Sequence, residues 1–274
     1  MSNTQLRIVS ALMLSAIVAA CIVAGNQMVL ILFGAVSILA IDELVCNFFK
    51  KKRFSIRYQL SELIFIIPFA YIFFIANSES YAESVSYYAI GLNFLLIVYL
   101  FSISMESKLI DNLGNKFPEF SGILFLLPLV SLSSLLFFKD WKLLLATLLV
   151  VNFGMDSGAW LIGKNFGKNK LWKKVSPNKT IEGLLGGMFI AGLVGCIAWK
   201  MFFGDASPTF FVLFALLGAM SQLGDLIQSK MKRQAGVKDS SSLIPGHGGV
   251  YDRIDGLIFL APFYLMALKF IYNK

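Results

Sequence analysis

The stretch Ser221-Gln-Leu-Gly-Asp225-Leu-Ile-Gln-Ser229-Lys-Met-Lys232-Arg233, running on through Lys238-Asp239 to Pro245-Gly-His247-Gly248-Gly249-Val-Tyr-Asp252-Arg253-Ile-Asp255, decides how the chain is read. Residues 208–229, which it overlaps at its start, and residues 255–272, which follow it, are dominated by apolar side chains. Between them lie acidic side chains, a cluster of lysines and arginines, several glycines and the only histidine of the chain. Two apolar runs joined in this way read as membrane spans, and a connection this polar at a membrane boundary holds more chemistry than joining two helices requires.

The rest of the chain agrees. It is 57% hydrophobic and only 15% charged, with a mean hydropathy of +0.74, which excludes an ordinary soluble domain. A spanning helix needs about 20 largely apolar residues, and nine such segments can be marked: 6–24, 28–49, 60–77, 85–103, 119–138, 141–163, 181–203, 208–229 and 255–272. The ends of the third and fourth are the least defined, because Tyr81 to Tyr88 also reads as an interfacial stretch. Runs this long exclude barrel strands, so the expected fold is an all-α polytopic membrane protein. No internal repeat or linker divides it. Residues 1–274 form one integral membrane domain, with N-terminal spans in 1–140 and the chemistry in 141–274. Val18-Ala-Ala-Cys21 resembles a lipoprotein cleavage site, but the spans that follow make it part of a first transmembrane helix. Cys21, Cys46 and Cys196 lie within apolar runs without ligand spacing and read as small packing residues.

Charge gives the sidedness. With nine spans, the N-terminal tail and the even-numbered loops share one face, and of the 24 lysines and arginines only Lys139, Lys142, Lys200, Lys269 and Lys274 fall elsewhere. The positive-inside rule makes that face, and the N-terminus, cytoplasmic. The net charge of +8 sits in short gaps between apolar runs, which disfavours nucleic acid and favours anionic lipid and nucleotide. Carboxylates within apolar runs are costly and mark function or pairing. Asp42 and Glu43 could partner a buried cation, and Asp156 lies among small and hydroxylated residues.

Two polar loops carry the candidate chemistry. In the sixth, Gly163 to Gly183, lysines and glycines suit phosphate, and Ser176-Pro177 suits a capped helix start that aims N–H groups at an anion. The composition also fits a plain positive-inside loop. In the eighth, Asp252 and Asp255 are three apart and share a helical face. With Asp225 they would offer oxygens to a magnesium ion that keeps some water for substrate phosphates. Pro245-Gly-His247-Gly248-Gly249 reads as a tight turn region. His247 alone is more simply a turn residue than a metal ligand, and Asp239 fits a salt bridge as well as a ligand. Ser229, four residues after Asp225, lacks the partners of a nucleophile.

In order and spacing these residues resemble the phosphatidate cytidylyltransferases, or CDP-diacylglycerol synthases. Their signature reads S-x-hydrophobic-K-R-x4-K-D-x-small-x2-hydrophobic-P-x-H-G-G-hydrophobic-x-D-R-hydrophobic-D, and every fixed position is met from Ser229 to Asp255. Asp156-Ser-Gly158-Ala159-Trp160 is similar to a second block of that family, and Ser176-Pro177-Asn178-Lys179-Thr180-Ile-Glu182-Gly183 to a third. Asn178 stands where the family usually has lysine. The resemblance covers the second half of the chain.

It implies transfer of CMP from CTP to phosphatidic acid, giving CDP-diacylglycerol and pyrophosphate, with Mg2+ required and a second metal ion left open. It implies a metal centre of Asp225, Asp252 and Asp255, and a catalytic set of these with Lys238 and Asp239. Asp156, Lys164, Ser176, Lys179, Thr180 and Glu182 would meet substrate, as would Ser229, Lys232, Arg233, His247, Gly248, Gly249 and Arg253. Partners would be CTP, phosphatidic acid and membrane lipids, with a homodimer left open. The location would be a bacterial inner membrane with the site on its cytoplasmic side. A relative that uses another lipid acceptor is the nearest alternative. A transporter relaying ions through Asp42, Glu43, Asp156 and Asp225 is the second, and it leaves the glycine loop without a role.

Overall fold

The structure is a computed structural model that describes residues 3–204 and 207–272. Among the described residues nine helices are long and apolar enough to cross a membrane. They are α1 (Asn3–Ala24), α2 (Asn26–Glu43), α3 (Ile56–Ala70), α4 (Glu79–Ser102), α6 (Phe120–Ser134), α7 (Trp141–Phe166), α8 (Ile181–Phe203), α9 (Pro208–Gln234) and α10 (Tyr251–Ile271). The expected all-α polytopic architecture is therefore present. Two of the helices are prolonged by single π-helical turns, α2 through Leu44–Phe48 and α3 through Tyr71–Ile75. Two smaller features interrupt the alternation of span and loop: a short helix α5 (Leu109–Lys116), and an antiparallel hairpin of β1 (Lys170–Trp172) and β2 (Ser176–Thr180).

Local chemistry sets the boundaries. The Ser55 and Ser78 hydroxyls accept from Tyr58 N (3.4 Å) and Tyr81 N (3.3 Å). The third and fourth spans therefore begin at Ile56 and Glu79 rather than at 60 and 85, and Tyr81 to Tyr88 are helical. Ser207 caps α9 ahead of Pro208 in the first turn, and Gly204 closes α8 in the left-handed conformation (φ 79°). The expected helix start at Ser176-Pro177 is not found: both residues lie in β2, and the helix begins one strand later. There Thr180 Oγ1 accepts from Gly183 N at 3.1 Å. Proline lacks the ladder N–H but fits a short two-stranded hairpin, and threonine is as good a cap as serine would have been.

Burial ranks the spans. Only 6% of the α1 span is buried against 72% of the α6 span, so α1 lies at the rim against α2, its apolar side chains left for lipid. α9 packs against α4, α7, α8 and α10, and α10 also meets α6. The α9–α10 pair thus stands inside the bundle. Buried polar links brace it: Ser221 Oγ donates to Asn152 Oδ1 (2.7 Å), Asn93 Nδ2 to Phe259 O (2.9 Å) and Tyr264 OH to Leu144 O (3.0 Å).

α7 and α8 meet through small residues, the usual way for helices to approach closely in lipid. A Cβ on Gly187 would stand 2.7 Å from the main-chain oxygen of Met155, which cannot give way as a side chain can. Gly187→Val is therefore expected to cost about 1–3 kcal/mol or more by overpacking. It should lower the unfolding temperature in detergent and the yield of monodisperse protein. A variant as stable as the parent would show that the helices part easily here.

The even-numbered loops meet at one end of the bundle, as nine spans require. Arg57 donates to Asn115 O and Lys116 O, joining α3 to the end of α5. At the hairpin tip Lys174 lies 3.5 Å from Glu106. The Ser104 hydroxyl and then Lys174 hold that exposed carboxyl below its ordinary range. Lys230, fully buried, donates to Tyr99 O, Leu100 O and Ile103 O. It closes the C-terminal end of α4, where a cation suits the helix dipole.

Candidate active site

At this polar end the hairpin delivers Lys179 to α9, where its ammonium pairs with Asp225 Oδ2. One turn on, Ser229 Oγ donates to Asp225 Oδ1 at 3.1 Å, the consequence of their i, i+4 spacing. Asp225 also lies within electrostatic reach of Asp156 on α7, Asp255 on α10 and Lys232 on its own helix. Carboxylates from three helices and two lysines thus share one patch. Asp156 is open to the surroundings, and Arg253 lies within its reach.

Asp252 has a different setting. Its Oδ1 accepts from Lys232 Nζ (2.7 Å) and Gln228 Nε2 (2.9 Å), and its Oδ2 from Ser240 N (2.9 Å) and Gly249 N (3.0 Å). The ion pair is buried, with side-chain exposure of 11% for Lys232 and 6% for Asp252. One carboxylate in the first turn of α10 therefore ties both ends of the glycine loop to the end of α9. Between those ends His247 N donates to Ile244 O (2.9 Å), with Pro245 and Gly246 (φ 76°) at the corners. That is a type II turn, whose third position takes glycine because only glycine enters the left-handed region without strain. Arg253 Nη2 donates to His247 O at 2.7 Å.

Two supports of this loop were not legible. Glu43, 2% exposed, receives Ser240 Oγ (2.7 Å), Ser241 Oγ (2.6 Å), Val250 N (2.8 Å) and Tyr251 N (2.9 Å). Its partners among the described residues are neutral donors and not the expected buried cation. Asp42, its neighbour in sequence, does bind a cation, but Arg53 is 65% exposed and reaches it from outside. At the other edge α1 touches the turn: Arg7 Nε donates to Gly246 O (2.8 Å), and Ser10 Oγ lies 2.8 Å from His247 Nδ1. Nothing in residues 7 to 10 announces a contact so distant in sequence.

The remaining predicted residues make local contacts or stand exposed. Ser176 is in β2, and Lys164 stands 4.8 Å over the Trp160 ring at the end of α7. Thr180 acts as a helix cap, and the Glu182 carboxylate receives Lys168 N and Asn169 N (3.1 Å each) and Asn169 Nδ2 (2.8 Å), bracing the entry to the hairpin. Arg233 donates to Val237 O (3.2 Å). Lys238 and Asp239 are exposed and form no ion pair among the described residues. Gly248 lies in the left-handed region (φ 88°) with its Cα near Asp252, and Gly249 is buried against Ser240 and Glu43, where their side chains occupy the place of a Cβ.

The donor set suits a hard divalent cation. Asp255 and Asp156 both lie within electrostatic reach of Asp225, and carboxylates are what magnesium takes from proteins. Among the described residues no three carboxylates close into a ready-made cage, so Asp225, Asp252 and Asp255 do not form a single three-ligand group. Magnesium tolerates such a site, since it keeps waters and draws its remaining ligands from phosphates.

Fold and site together define an integral membrane protein whose paired acids and lysines gather at one end of a helical bundle. The chain belongs to the cytidylyltransferase family, which it matches over residues 5–271. It is similar to the phosphatidate cytidylyltransferase of Bacillus subtilis (strain 168), 45% identical over 123 residues that cover 43% of the chain and 45% of that protein. The protein of the same name in Staphylococcus aureus (strain COL) is 46% identical over 110 residues, covering 39% of the chain and 42% of that protein. That of Haemophilus influenzae is 44% identical over 133 residues, 47% and 46% of the two chains. The matched stretch thus spans less than half the length of each of these relatives.

Proposed function

We propose that the protein is a phosphatidate cytidylyltransferase, transferring CMP from CTP to phosphatidic acid at the cytoplasmic face of a bacterial inner membrane. The observation that carries this reading is the Lys179–Asp225 pair. It brings Lys179 of the Ser176–Gly183 block onto α9 at Asp225, which in turn accepts from Ser229, where the Ser229–Asp255 block begins, at the polar end of the bundle. The named relatives and the family support the chemistry.

In this reading an oxygen of the lipid phosphate forms a bond to the α-phosphorus of CTP, the bond to the bridging oxygen breaks, and pyrophosphate leaves. No protein nucleophile is required, because the attacking phosphate is already ionised. The task of the protein is to bring two polyanions together and hold the charge that builds on the non-bridging and leaving oxygens. Lys179 and Lys232 supply ammonium groups for that charge, and Arg253 holds the glycine loop while presenting its remaining N–H groups. Asp225 and Asp255, with Asp156 beside them, would hold magnesium, which supplies Lewis-acid stabilisation of the phosphate oxygens when bound. Asp252 would join them only by exchanging one of its present donors. CTP comes from the water phase and the acyl chains stay in the bilayer, which suits a site at the bundle's polar end. The concentration of lysine and arginine there makes that end cytoplasmic by the positive-inside rule.

The test is a lipid-acceptor panel. Reconstituted protein with labelled CTP and magnesium is expected to move label into the lipid phase with phosphatidic acid, and to stop when the ion is chelated. Equal labelling of a polyprenol or polyprenyl phosphate in place of phosphatidic acid would overturn the choice of acceptor. Failure to label any lipid would overturn the reaction.

A further inference from the structure

We propose that Glu43 is a positioning residue for the transfer reaction, fixing the glycine loop and the start of α10 from outside the loop itself. This rests on the reaction proposed above. The geometry is specific. A carboxylate offers about four lone-pair sites, and in Glu43 both oxygens are engaged, one by Ser241 Oγ and Val250 N, the other by Ser240 Oγ and Tyr251 N. All four donors belong to the two ends of one loop, so a single side chain from α2 sets their separation.

The anchoring also explains how α10 begins. Val250 at the cap position offers no side-chain cap bond, and the first N–H groups of a helix need an acceptor. Glu43 supplies one from another helix, with a negative charge where the helix dipole favours it. Asp252 and Asp255 follow within the first turns, so their positions depend on that start. Asn47, in the π-helical turn that prolongs α2, adds a fifth link by donating from Nδ2 to Ser240 O at 2.6 Å. Close packing leaves no slack: the Glu43 carboxylate and the Ser240 hydroxyl take the place a side chain on Gly249 would need. Gly249 N and Ser240 N, held in this way, are the two main-chain donors to Asp252 Oδ2. Glu43 thus reaches the reacting groups through Asp252 and does not touch substrate.

The experiment uses the full chain in nanodiscs and two independent readouts. Glu43→Gln places an amide N–H₂ among donors that need an acceptor, whereas Glu43→Asp stays acceptor-only. Hydrogen exchange at Val250 or Tyr251, whichever N–H then faces the amide nitrogen, is expected to quicken at least ~10-fold in Glu43→Gln as its acceptor is lost. kcat is expected to fall by roughly 100-fold, the size of effect that a displacement of about 1 Å can produce, while KM for the lipid changes little. Glu43→Asp should recover part of kcat. If Glu43→Gln does not fold, Ser240→Ala with Ser241→Ala removes two of the four donors and should quicken exchange and lower kcat in the same direction. Quickened exchange with parental kcat overturns the proposal, as does unaltered exchange. A parent that exchanges slowly at Val250 and Tyr251 yet transfers nothing from CTP would refute the reaction while leaving the anchor standing.

Discussion

Asp225→Asn is expected to lower kcat by about 10³-fold or more, the equivalent of some 4 kcal/mol of transition-state stabilisation. The protein should remain folded. Asp225 ties the hairpin to α9 through Lys179 and has the acids of α7 and α10 within electrostatic reach, so its charge matters to every group in the patch. Its side chain is nevertheless 34% exposed, and asparagine keeps the size and the acceptor that Ser229 uses. Lys179 is 21% exposed and can turn to water when its partner is lost. Labelled-CTP turnover and thermal unfolding of the same preparation separate the two effects. Turnover near the parental rate would remove Asp225 from the chemistry.

Asp252→Asn should behave otherwise, losing activity and stability together. Its carboxylate accepts four donors and pairs with a lysine that is almost fully buried. Removing one partner of such a pair leaves an uncompensated charge and costs about 3–5 kcal/mol. The new amide would also present N–H groups to N–H groups. Adding Lys232→Met to Asp252→Asn should restore part of the lost unfolding temperature, because no lone charge remains, without restoring turnover. If the double variant is less stable than Asp252→Asn alone, the pair is not the reason for the loss.

The two aspartates show what a sequence can and cannot tell. Their identity and their place at the ends of spans were legible from apolar run lengths and from the order of motif residues, but their pairing with Lys179 and Lys232 was not. The spans were legible too, since hydrocarbon thickness fixes their length and the excess of lysine and arginine fixes which loops lie together. That Asp225 faces a partly open patch while Asp252 is saturated by a loop was not, because the donors to Asp252 come from Gln228, Lys232 and Ser240, which only the fold brings to it. The hairpin was missed for a local reason: its strands are three and five residues long, too short for an alternation to register, and Ser176-Pro177 reads equally well as a helix cap. α5 was missed because eight residues of mixed polarity are too few to announce a helix without the surface they lie on. Glu43 was passed over for a different reason. Asp42 and Glu43 stand side by side, yet one turns to Arg53 in the next loop and the other to serines and amides about 200 residues away. Only the packing of α2 beside the start of α10 reveals that.

Manganese in place of magnesium, with a non-hydrolysable CTP analogue, locates the ion by anomalous scattering. A peak is expected at ligand distance, about 2.1 Å, from a carboxylate oxygen of Asp225, with the analogue's phosphates completing the shell. A peak bound only by phosphates and water, with Asp225 still paired to Lys179, would contradict a role for Asp225 as ligand.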